Sequence, residues 1–258
     1  MVAQTTRSGS KIHLISNTVH KERNDMQTQP TGLIVYEGPS RLDGQPIVAI
    51  LTTHSENRKT GDMCQLWIIR SDMSPVAAIK AGADASICGD CIHRGDGTGA
   101  KRSCYVNAGH APGQIFRSYI DGRYPVATAQ SLRDATIGRM VRLGAYGDPA
   151  ALPIRTIRAV TRHADGWTGY SHQWRIRPSL RPFVMASVDT PQEAAQARAK
   201  GWRYFRVSRL ADRAQGEAIC PSDKGIQCID CGHCNGHASG RRGSVVIQVH
   251  GSGAVHFN

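Results

Sequence analysis

With 258 residues, the chain can bury a sizeable core without disulfides or metals to hold it together. Its 40% hydrophobic and 20% charged content excludes a wholly disordered protein. Lys and Arg number 32 against 20 Asp and Glu, a net charge of +12; 25 of the positives are Arg, whose forked guanidinium suits phosphates and carboxylates, so nucleic acid or a nucleotide-derived substrate is an expected partner. No apolar run approaches the ~18 residues that span a bilayer, and residues 1–30 lack the charged-then-apolar order of a secretory leader. No membrane partner is expected, and the expected location is the cytoplasm.

In chain order, residues 1–30 are polar and aperiodic and read as a flexible arm before one domain over 31–258. Short β-branched runs at 33–36 and 47–52 predict two strands joined as a hairpin around Leu42-Asp43-Gly44, with 66–70 a third. Residues 83–113 are rich in Gly, Cys, Asp and His without a period and predict a long functional loop. Helices are expected over 114–120, 131–140 and 149–163, the last with Asp148 before Pro149 as its start, and a short strand over 141–145. Strands at 167–171, 183–188 and 202–207 follow, the latter two separated by an Ala-rich helix over 192–200 that Gly201 closes. A last strand is expected over 244–250. Strand, helix, strand requires a parallel sheet. Six to eight strands alternating with helices point to an α/β fold, a full or partial (β/α) barrel with two cysteine-rich metal-binding segments.

The cysteines carry the chemistry. Four disulfides would need an oxidising compartment and usually a smaller chain. Seven of the eight instead fall into two groups at ligand spacing, with Cys64 outside. The first is Cys88-x2-Cys91-x12-Cys104, in the loop 83–113. Three thiolates can hold an iron–sulfur cluster with one iron open, or zinc with His93 or His110 as a fourth ligand. The second, within 220–237, is Cys220-x7-Cys228-x2-Cys231-x2-Cys234. Three cysteines in one seven-residue run resemble a ferredoxin segment more than a pair of zinc knuckles, although His233 and His237 keep zinc open.

Other candidates sit at predicted strand ends, where parallel α/β folds bind ligands. Gly144 and Gly147 let a ligand approach the backbone, and Asp148 reads equally as a hydrogen-bonding or acid–base group and as a helix cap. Tyr170, His172, Gln173 and Trp174 follow the next strand and can contact a substrate or plug the core. Arg142 and Arg175 flank both ends as substrate contacts. Asp189, before Thr190-Pro191, reads as a helix-start residue.

The order of these pieces resembles a bacteriophage protein family whose architecture is similar to the radical S-adenosylmethionine barrels. The pieces are a cysteine loop ending in Cys104-Tyr105, the run Val141-Arg-Leu-Gly-Ala-Tyr-Gly-Asp-Pro149, Thr168-Gly-Tyr-Ser-His-Gln-Trp174, the four C-terminal cysteines, and His250-Gly-Ser-Gly253. It covers roughly residues 60–258. The resemblance implies a cluster on Cys88, Cys91 and Cys104 whose open iron takes S-adenosylmethionine; Tyr105 beside the last cysteine and the strand-end Gly144 and Gly147 are the candidate cofactor-binding residues. It also implies an auxiliary cluster on Cys220, Cys228, Cys231 and Cys234, and a phage origin would set the protein in the host-cell cytoplasm. From their strand-end placement, Asp148 and His172 are the candidate catalytic residues and Arg142, Tyr170, Gln173 and Arg175 the candidate substrate contacts. The loop departs from the usual pattern: two and then twelve residues separate its cysteines, and the aromatic residue follows the last one. Two rival readings remain: a zinc-containing, transglycosylase-like enzyme of base modification with Asp148 or Asp189 as its carboxylate nucleophile, and a non-enzymatic, metal-stapled accessory protein that binds nucleic acid.

Overall fold

Two antiparallel strands open the fold, β1 (Gly32–Pro39) and β2 (Pro46–Thr52), and β3 (Cys64–Arg70) pairs antiparallel with β2. The hairpin turns at 40–45, where Gly44 adopts φ +79°, a region that glycine enters without steric cost. The computed structural model describes residues 30–209, 213–237 and 243–257; the expected arm, apart from Pro30, lies outside them. From β3 onward every pairing is parallel: β4 (Met140–Tyr146), β5 (Gly166–Ser171), β6 (Met185–Val188), β7 (Tyr204–Ser208), β9 (Ser244–Gln248) and, at the far edge, β8 (Glu217–Ile219). The nine strands form one sheet in the order β1-β2-β3-β4-β5-β6-β7-β9-β8, open at both edges. The expected α/β class is therefore present as a mixed sheet.

Helices α1 (Pro75–Lys80), α2 (Ala85–Cys88), α3 (Ala111–Ile120) and α4 (Ala129–Thr136) lie between β3 and β4; α5 (Ile154–Thr161) joins β4 to β5 and α6 (Pro191–Ala199) joins β6 to β7. Because strand order follows chain order, right-handed crossovers place these connections on one face of the sheet. Alternation along each strand then separates two cores. Leu66, Ile68, Val141, Leu143, Ala186, Val188 and Tyr204 belong to the large core with Ile157 and Val160 of α5. Met185, Phe205, Val245 and Ile247 form a smaller cluster, against which Tyr170, Val207, Cys220 and Cys234 pack.

Three expected helices change shape. The span 149–163 splits into a 3-10 turn at Pro149–Ala151 and α5, because Pro153 drives Leu152 into extended backbone at ψ 152°. The span 131–140 stops at Thr136, where Ile137 is extended and Gly138 takes φ +69°. The span 114–120 begins three residues earlier, at Ala111, with Pro112 in its first turn. None of the described helices is long and apolar enough to cross a membrane.

Candidate metal centre

The cysteine loop is an ordered excursion built around one carboxylate. Asp84, almost fully buried, accepts from Arg94 Nε and Nη2 (3.0 and 2.7 Å) and from Arg102 Nη1 (3.1 Å). Arg94 also donates to the Gly82 and Gly89 carbonyls. The twelve-residue gap closes on itself: Cys104 N–H donates to the His93 carbonyl (3.1 Å), and His93 Nδ1 bonds Ser103 Oγ (2.8 Å). This returns Cys104 to Cys88 and Cys91. Burial pushes the Cys88 thiol well up, and neighbouring Cys91 and Cys104 push it further.

The C-terminal cysteines reach the same end of the sheet from the other side of the sequence. A short helix, α7 (Cys228–Cys231), docks on the segment before β3: Cys228 N–H donates to the Lys59 carbonyl (2.9 Å) and Ile229 N–H to Thr60 (3.0 Å). The Cys234 carbonyl accepts from Gly169 N–H of β5 (3.0 Å), while Arg203, the residue just before β7, grips the His233 and Gly236 carbonyls. Gly236, at φ +62°, lies where a Cβ would strike the backbone of Phe183 and Val184. Burial raises the Cys234 thiol to about 12, with Cys220 and Cys228 adding to the rise. All eight cysteines are free.

Two cavities connect these groups to the sheet. One, of about 230 Å³, is lined by Cys88, Cys91, Cys104, Cys220 and Cys228 together with residues at the carboxyl ends of β4, β5, β6, β7 and β9. The other, of about 180 Å³, is lined by all four C-terminal cysteines, Thr168, Tyr170 and Ser222. Buried atoms without a hydrogen-bond partner include Tyr146 Oη, Thr168 Oγ1 and Ser222 Oγ; all three belong to residues on these walls. Buried hydroxyls ordinarily find an acceptor. Sulfur ligated to a metal would supply one.

The other expected residues divide. His172, Arg142, Tyr170, Tyr105, Gly144, Gly147 and Asp148 line the larger cavity. Asp148 is 8% exposed, and its carboxylate is engaged by backbone: Oδ1 accepts from Ala150 N–H and Oδ2 from His172 N–H, both at 2.8 Å. It caps the 3-10 turn and fixes His172, which is a positioning role. The glycines follow suit: a Cβ on Gly144 would meet the Gly147 carbonyl and Pro149, and one on Gly147 would meet Ile68. Tight chain packing thus accounts for both. Gln173 does not line the cavity; its amide donates to the Cys88 carbonyl (3.2 Å) and Asp90 Oδ1 (2.6 Å), pinning the loop from below. Arg175 turns outward, stacks on Trp174 at 4.2 Å and pairs with Glu193 at 2.9 Å.

Asp189 does more than the helix-start reading gave it. Thr190 caps α6, accepting from Glu193 N–H at 3.1 Å, and the Asp189 carboxylate joins two imidazoles instead. Its Oδ1 meets His93 Nε2 at 3.0 Å and its Oδ2 meets His172 Nε2 at 3.1 Å. These ligand atoms all lie within 4.8 Å of one another, and His172 Nε2 is also 3.9 Å from Cys91 Sγ. Among the described residues no set of three cysteine ligand atoms is drawn together to that degree.

Asp189→Asn leaves one amide oxygen where two imidazoles were bound. The expected cost is ~2–4 kcal/mol, seen as a lower melting temperature, because a nearly buried hydrogen-bonded charge is removed from its partners. A melting temperature equal to wild type would show that the two imidazoles do not depend on this carboxylate.

Compared with protein-family models, curated proteins and solved structures, this chain matches none of them.

Proposed function

We propose that this chain is an iron–sulfur enzyme of radical S-adenosylmethionine type, a partial (β/α) barrel acting on a nucleotide-derived substrate. The observation that carries the reading is convergence: cysteines from 88–104 and from 220–228 wall one cavity at the carboxyl ends of parallel strands, where such sheets bind ligands. The donors fit the group. Thiolates are soft ligands that select iron–sulfur clusters, zinc or copper(I). A single tetrahedral zinc at ~2.3 Å from each sulfur needs its sulfurs about 3.8 Å apart; among the described residues no three cysteine sulfurs lie within 4.8 Å of one another.

Cys88, Cys91 and Cys104 would hold the loop centre, and Cys220, Cys228, Cys231 and Cys234 the second. Bound through three thiolates, an iron–sulfur cluster keeps one iron open to S-adenosylmethionine and can supply it with an electron. The protein's own part is positional. Gln173 and the Asp84 arginine pair fix the loop, Asp148 fixes the His172 backbone, and Tyr146 offers a hydroxyl beside Cys88. A duplex does not enter a cavity of about 230 Å³; a nucleic-acid substrate would have to present an extruded nucleotide.

A second reading rests on His93, His172 and Asp189. Two imidazoles and a carboxylate can hold one zinc or non-haem iron ion, with the cysteines left as thiols.

A metal inventory separates the two. Protein purified and reconstituted without oxygen should carry about eight iron atoms with matching labile sulfide and absorb near ~400 nm. One metal ion per chain and no sulfide would overturn the cluster reading in favour of the second.

A further inference from the structure

The buried arginines of this fold differ in one respect. Arg70 pairs with Asp72, Arg206 with Glu217, and Arg203 with backbone carbonyls. Arg142, only 6% exposed, has no carboxylate among the described residues. Its Nη2 donates to Tyr105 Oη at 3.3 Å, and its guanidinium lies 4.5 Å from the centre of the Tyr170 ring. Burial opposes its charge, but the neighbouring Tyr170, Tyr105 and Cys228 outweigh that and hold its proton more tightly than usual. Arg142 stands on the wall of the larger cavity, where both cysteine groups meet.

Burying a guanidinium without an anion is costly. A planar fork that is stacked on one ring and tied at one nitrogen still has donors left for a second partner. Among the described residues Asp148 is the one carboxylate on this wall, and both of its oxygens are held by backbone N–H groups; the five cysteines there carry negative charge only as thiolates, which a metal would neutralise in part. The wall further contributes Lys59 and His250. A cation held in an apolar, partly dry cleft draws an anion far more strongly than it would at the surface.

From this geometry we infer that Arg142, with Tyr105 and Tyr170 as its shelf, is an oxyanion site that takes the carboxylate or phosphate of the ligand bound between the two cysteine groups. This deepens the proposed function by naming the ligand's anchor, and it rests on that reading for what the ligand then undergoes. The site itself consists of the arginine and two tyrosines and needs no metal.

The test is calorimetric titration of inorganic phosphate, acetate and acetamide into protein whose iron, sulfide and zinc have been measured. Wild type should bind phosphate or acetate saturably and ignore acetamide, the uncharged isostere of acetate; which anion binds identifies the source. Arg142→Gln should weaken that binding at least tenfold. Tyr105→Phe removes the phenol that orients the guanidinium, so it should weaken binding by less than Arg142→Gln does, and Arg142→Lys serves if Arg142→Gln does not fold. Arg142→Lys should fall between, keeping the charge without the fork. Absence of saturable oxyanion binding in wild type, or equal affinity in Arg142→Gln, overturns the inference. So does loss of iron in Arg142→Gln where wild type binds no oxyanion, since Arg142 would then be the counter-charge of the Cys228 centre. Oxyanion binding by protein that takes up no iron upholds the site while defeating the cluster reading. Iron-loaded protein that ignores both anions does the reverse.

Discussion

Cys228→Ser should lower the melting temperature of the metal-loaded protein by about 10 °C, whereas Cys104→Ser should move it by only ~1–2 °C. The difference lies in what each group ties together. Cys228 begins the short helix that hydrogen-bonds to Lys59 and Thr60, and the same segment reaches β5 through Cys234 and the start of β7 through Arg203. A metal closing 220–234, as proposed, would therefore fasten three separate parts of the fold. A structural metal contributes ~10–16 kcal/mol to small domains. Losing ~4 kcal/mol of that, at ~2–4 °C per kcal/mol for a chain of this size, gives the stated shift. The loop of Cys104 is instead held by Asp84 with Arg94 and Arg102, and by a backbone bond from residue 104 that serine preserves. Scanning calorimetry on both variants, with metal content assayed, decides the matter. Equal shifts, or a stable metal-loaded Cys228→Ser, would deny the C-terminal group a structural role.

Glu217→Gln should be comparably severe, at ~3–5 kcal/mol, because it removes one partner from a buried pair. Arg206 donates Nε and Nη2 to the two Glu217 oxygens at 2.8 Å each, and Ala214 N–H adds a third bond at 2.8 Å. The two side chains are 5% and 0% exposed. Burial by itself would raise the Glu217 carboxyl, but the Arg206 fork and the Ala214 N–H prevail and hold it below the usual 4.5. A carboxyl lowered by folding lends stability that is fully present above its unfolded value and is lost as pH falls through the folded one. The gap in melting temperature between wild type and Glu217→Gln should hence be widest near neutrality and shrink in acid below 4.5. A gap that stays constant with pH would show that this carboxylate's charge does not carry the effect.

Much of the fold was legible because its signals are local. The hairpin around Gly44, the strand at 167–171 and the strand–helix–strand passage from 183 to 207 each announce themselves by β-branched runs, caps and a closing glycine. The short pieces were not legible. β8 is three residues, Glu-Ala-Ile, held as an edge by the Arg206–Glu217 pair, and α1 is six residues; neither is long enough to show a period. The cysteine spacings were plain in the row, but their convergence depends on Lys59, Thr60 and Gly169, far away in sequence. Asp189 hid behind a redundancy: Asp-Thr-Pro offers two caps in succession, and with Thr190 filling the role the carboxylate was left for His93 and His172. A surplus cap was the available clue. Arg175 was misplaced because His172–Arg175 forms a 3-10 turn that carries it out to Glu193.

The docking of the last cysteine segment onto residues 58–60 also sets a timetable for biogenesis. Gln227 Nε2 donates to the Arg58 carbonyl across 169 residues of sequence, so this seam cannot form until most of the chain has left the ribosome. The hairpin, the loop around Asp84 and the first parallel strands have their contacts within the earlier part of the chain. Cys88, Cys91 and Cys104 therefore come together first, in a nascent protein whose C-terminal wall does not yet exist. If the loop thiols take up a metal, they would be reachable before the segment 220–234 shuts the site.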